Sequence, residues 1–119
     1  YKKEIQKSND LEKLKAELIN TQIYLDFERI YRVIFGSQVD LLKRLRQNSF
    51  GELNSDTQFF FILTQRIFPV FTNWFFTQYI NFPVVNGLIF LHDNRYCITD
   101  KGKAFLSYIE FLNFPQKNL

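Results

Sequence analysis

His92 and Cys97 are the only members of their residue types in this chain, and they are its only imidazole and thiol. One histidine and one cysteine make neither a hydrolytic triad nor a four-ligand zinc site. Cys97 lies in a run of apolar and aromatic neighbours and reads as a buried, inert thiol, since no histidine other than His92, across the hairpin, could be placed to lower its pKa. His92 itself precedes Asp93-Asn94 and reads as a solvent-facing turn residue. Asp93 and Asp100 flank the second of two strand-like runs, as turn and cap residues rather than an acid–base pair. The glycines at 36, 51, 87 and 102 are too scattered to cradle a phosphate. The expectation is a protein without enzymatic activity, metal or cofactor.

Two other residue classes could carry function. Cations gather as Lys43, Arg44 and Arg46, and again as Arg95, Lys101 and Lys103. With Lys+Arg 15 against Asp+Glu 12, the net charge of +3 is mild, so solvated charge is the simpler reading than a nucleic-acid footprint. Aromatic residues are the outlying number, with Phe 15 and Tyr 6 in 119 residues. Each ring buries roughly 150–250 Å², more than a small core absorbs, so part of this surface is expected in an interface. Trp74, Phe75, Phe76 and Tyr79 form the candidate partner surface, together with Leu11, Leu14 and Leu18.

The elements that must position these residues follow from periodicity. From Leu11 to Ile34 apolar residues recur at three- and four-residue steps, which predicts a long amphipathic helix. Leu11, Leu18 and Leu25 keep a seven-residue spacing with Leu14 at the companion position, but Thr21 and Glu28 interrupt the seam. That favours a short packing helix or dimer arm over a sustained stalk. Gly36-Ser37 marks a bend or an unbroken continuation, with Ser37 and Asp40 as a capping arrangement. Ser55-Asp56-Thr57-Gln58 predicts the capped start of a helix ending near Phe68, before Pro69. A further helix is expected from about Val70 to Asn81, stopped by Pro83. Leu88–Leu91 and Arg95–Ile98 predict a β-hairpin around His92-Asp93-Asn94. Thr99-Asp100 then caps a last helix closed by Pro115.

The stretch Gly87-Leu88-Ile89, then Ile98-Thr99-Asp100-Lys101-Gly102-Lys103-Ala104-Phe105-Leu106, resembles the wing and following helix of winged-helix proteins, closest in flavour to MarR-like transcriptional regulators. Gly87 permits a positive φ before the strand, and Gly102 lets the last helix approach the sheet. The resemblance implies a three-helix core with a hairpin wing, often dimeric through terminal helices, and DNA binding through the helix before the wing. On that alternative Asn73, Thr77 and Gln78 face bases while Arg95, Lys101 and Lys103 meet phosphates. No Lys or Arg occurs between Arg66 and Arg95, however, and duplex affinity depends on cations.

The expected fold is therefore mainly α with a small β-hairpin. An N-terminal amphipathic helix (1–35) precedes a winged-helix-like domain (36–114) and a short tail (115–119). The expected function is a cytoplasmic interaction or regulatory module that mediates homodimerisation or partner docking within a longer protein, any membrane attachment lying outside these residues. A DNA-binding regulator is the alternative.

Overall fold

The helical spacing that starts at Leu11 is taken up by one continuous α-helix, α1 (Lys2–Val33), about 48 Å long at 1.5 Å per residue. The computed structural model describes residues 2–117 and 119, with side chains from residue 10 onward. Short ion pairs stitch α1 along its surface: Asp26 with Arg29 at 2.6 Å, and Glu28 with Arg32 at 2.6 Å. At this spacing such pairs add a few tenths of a kcal/mol each. The chain divides into two units, Tyr1–Val33 and Ile34–Leu119.

In the second unit the order is α2 (Gly36–Arg46), β1 (Glu52–Leu53), α3 (Asn54–Ile67), α4 (Phe76–Val85), β2 (Ile89–His92), β3 (Arg95–Ile98) and α5 (Asp100–Phe111). The fold is mainly helical with one small antiparallel sheet. β3 lies in its centre, pairing with β2 from Ile89–Ile98 to His92–Arg95 and with β1 through Glu52–Tyr96 and Leu53–Arg95. Asp93 and Asn94 both take positive φ (49° and 60°) and form the whole hairpin loop, so His92 belongs to β2. The buried residues include Leu41, Leu42, Leu45, Leu88, Phe105 and Leu106, together with an aromatic cluster of Phe61, Phe71 and Tyr79.

Several local expectations are corrected. The helical path breaks at Ile34-Phe35, where Phe35 is extended (φ −78°, ψ 150°) and Gln38, not Ser37 or Asp40, supplies the reciprocal contact by accepting the Phe35 N–H at 2.9 Å. α3 begins at Asn54, ahead of the expected Ser55 cap. No single helix covers Val70 to Asn81. Pro69–Phe71 forms one 3₁₀ turn, and the Gln65 amide then donates to Phe71 O (2.9 Å) and Trp74 O (3.1 Å), holding the intervening chain as a loop. Phe75 is again extended, its N–H bound by Gln78 Oε1 at 2.8 Å, and α4 starts at Phe76. Pro83 lies inside α4 rather than ending it. The Tyr79 carbonyl, which would bond the missing N–H of residue 83, instead accepts from Gln38 Nε2 at 2.8 Å.

Among the described residues no helix is long and apolar enough to cross a membrane.

Candidate functional site

The four aromatic candidates separate by burial. Tyr79 has no exposed surface and is corrected to a core residue: its ring lies 4.8 Å from Phe61 and 5.5 Å from Phe71, and its hydroxyl donates to Ser37 Oγ at 2.6 Å. Trp74 is half-buried edge-on against Phe71 and Phe35. Phe76 is half-buried between Phe61 and Tyr96. Phe75 is 72% exposed, the outward member of the set.

Further exposed apolar residues lie in α3, where periodicity alone did not place them. Thr57, Phe61 and Thr64 form the buried face of that helix, leaving Phe59, Ile62, Leu63 and Ile67 exposed at three- and four-residue spacing, with Val70 beyond them. The signal was present in the unbroken run Phe59–Leu63: five consecutive apolar residues cover more than one helical face, and a small domain covers one. Leu11, Leu14 and Leu18 on α1 are likewise exposed, at 52–58%.

Among the cation candidates, Arg44 and Arg46 form ion pairs within the fold. Arg44 pairs with the buried carboxylate of Glu52, which also accepts from Thr57 Oγ1 at 2.9 Å, and the guanidinium lies 5.6 Å from the Phe60 ring. Arg46 reaches Glu110 at 2.8 Å, and this hydrogen bond holds the Glu110 carboxyl below its usual range. Arg95 is half-buried with a long contact to Gly51 O, Lys101 is half-buried, and Lys103 is exposed. Asn73, Thr77 and Gln78 are exposed; Thr77 and Gln78 line a shallow depression with Trp74 and Asn81. Cys97 stands opposite Phe90, while His92 stands opposite Arg95 and contacts Asp93 at 3.2 Å, so the imidazole and thiol are not paired.

Burial of Tyr79 has a pH consequence. Desolvation pushes its phenol from 10.0 up to about 12, outweighing the hydrogen bond to Ser37. Between those values the unfolded chain releases this proton and the folded chain keeps it, so stability falls as pH rises, by about 1.4 kcal/mol per unit. The urea midpoint should therefore drop steeply between about pH 10 and about pH 12, and Tyr79→Phe should remove that component. An identical alkaline slope in both proteins would mean the phenol is not buried.

No family model matches the chain, and neither does any curated protein or solved structure at a significant level.

Proposed function

We propose that this chain is a non-enzymatic, winged-helix-like interaction module of the cytoplasm that self-associates through its apolar surface. The order α2–β1–α3–α4–hairpin–α5, with β1 paired to the second hairpin strand, supports the winged-helix reading. One observation carries the function: residues 57–92 contain a single charged side chain, Arg66, yet Phe59, Ile67, Val70 and Phe75 are 58–72% exposed. Apolar surface removed from water returns about 25 cal/mol per Å². A face with a single cation gains little from phosphates by comparison. A second copy is the simplest apolar partner, because a two-fold interface needs only one self-complementary patch.

Light scattering and sedimentation across the micromolar range test this. The mass should rise towards a dimer with concentration, and Ile67→Glu or Phe75→Glu should weaken association about tenfold or more. A strictly monomeric chain at high concentration would overturn the reading. The alternative, duplex recognition by Asn73, Thr77 and Gln78 with Arg95, Lys101 and Lys103, draws on the exposure of Thr77 and Gln78 on α4 and of Asn73 in the loop before it. It requires low-salt binding of duplex DNA whose log–log salt slope falls by about one for each cation removed.

A further inference from the structure

The leucines of α1 carry information about orientation as well as exposure. Resting on the reading that the chain self-associates, we infer that α1 pairs with α1 of a second copy as a short, parallel, two-stranded coiled coil through Leu11, Leu14, Leu18 and Leu25.

These four side chains are 52–60% exposed on an uninterrupted helix. At 3.6 residues per turn they fall within an arc of roughly 60°, and the seam is roughly 21 Å long. Ile19 and Ile23 lie well away from this arc and do not belong to it. Thr21 occupies the core position between Leu18 and Leu25. Its hydroxyl already donates to Glu17 O at 2.9 Å within its own helix, so it brings a satisfied polar group into the seam. Glu28, at the next core position, is turned to Arg32 and closes the seam.

Charge at the flanks selects the partner and its direction. The residues preceding Leu11 and Leu18 are Asp10 and Glu17, and those following Leu14 and Thr21 are Lys15 and Gln22. In a parallel pair each preceding flank meets the following flank of the other helix one heptad on. Asp10 then faces Lys15 of the second copy, twice per dimer by symmetry, and Glu17 faces Gln22. In an antiparallel pair like flanks meet, so the acidic row lies against itself and Lys15 against its own row. Only the parallel arrangement is complementary. The contact of Lys15 with Glu12 in its own helix is long (3.7 Å) and exposed, and competes weakly.

The full chain, followed by sedimentation equilibrium with helix content monitored by circular dichroism, provides the test. Leu14→Glu should raise the dimer dissociation constant about 100-fold. Asp10→Lys and Lys15→Glu alter exposed positions and leave folding intact; each should weaken the dimer about fivefold, and the double exchange should restore it. A double exchange no tighter than the single ones would overturn parallel pairing. A dimer weakened by Phe75→Glu but indifferent to Leu14→Glu would overturn this inference alone, whereas a chain monomeric at every concentration would overturn the self-association reading beneath it.

Discussion

Gly102→Val should destabilise the second unit by about 3–4 kcal/mol and lower its melting temperature by about 15–20 °C. A Cβ at this position would lie 2.7 Å from Ile98 Cγ1 and deeper still into the Leu88 carbonyl oxygen. That oxygen is not free to move, because it accepts from Thr99 N at 2.9 Å and from Thr99 Oγ1 at 3.0 Å. Thr99 in turn caps α5 by accepting the Gly102 N–H at 2.9 Å. One side chain added here therefore pushes on the strand entry, the cap and the helix together. Gly87→Ala is the control. Gly87 sits at φ 73°, but an added Cβ would meet nothing closer than Lys101 Cδ at 3.7 Å, so backbone strain of about 1 kcal/mol is the whole cost. Thermal melts that ranked the two substitutions equally would show that α5 does not seat on Leu88.

The hairpin and its joint to α5 were legible because their determinants are local. The Asp93-Asn94 turn, a threonine cap and two glycines with separate duties all lie within residues 87–102, although His92, read as a turn residue, belongs to β2. β1 was not legible, because two residues have no readable alternation and exist as a strand only where β3 offers an edge. The stretch after Pro69 misled for a similar reason: its apolar run suits a helix, but the Gln65 amide bonds that hold it as a loop come from the preceding helix. Pro83 reads locally as a stop, and it is tolerated only because a donor arrives from a helix more than forty residues away.

For the candidate surface, the excess of aromatic residues was visible in composition, but its sorting was not. Tyr79 and Phe75 share a short segment, and one is sealed in the core while the other faces water. What separates them is the set of partners that tertiary folding brings: Phe61, Phe71 and Ser37 enclose Tyr79, whereas Phe75 is left 72% exposed. The cations were read as mostly solvated charge, and ion pairs engage two of them within the fold. Arg44 and Arg46 meet Glu52 and Glu110, carboxylates whose proximity no spacing rule reveals.

Gln38→Leu should destabilise by about 3 kcal/mol, although the substitute is apolar and similar in size. Gln38 is 1% exposed and spends both ends of its amide: Oε1 accepts the Phe35 N–H at 2.9 Å, and Nε2 donates to Tyr79 O at 2.8 Å. Leucine leaves an unpaired donor at the start of α2 and an unpaired acceptor inside α4, and each such group costs about 1–3 kcal/mol when shielded from water. The second of these vacancies exists only because residue 83 is proline. Pro83→Ala would restore an N–H one helical turn beyond Tyr79, giving that carbonyl an intrahelical donor. Gln38→Leu should then cost about 1 kcal/mol less in the Pro83→Ala background than in the wild type, a coupling that a double-mutant cycle in urea resolves. Strict additivity would mean that the Tyr79 carbonyl finds its partner elsewhere. Coupling of the expected sign would establish that Gln38 stands in for the N–H that Pro83 lacks, so that α2 completes the backbone hydrogen bonding of α4.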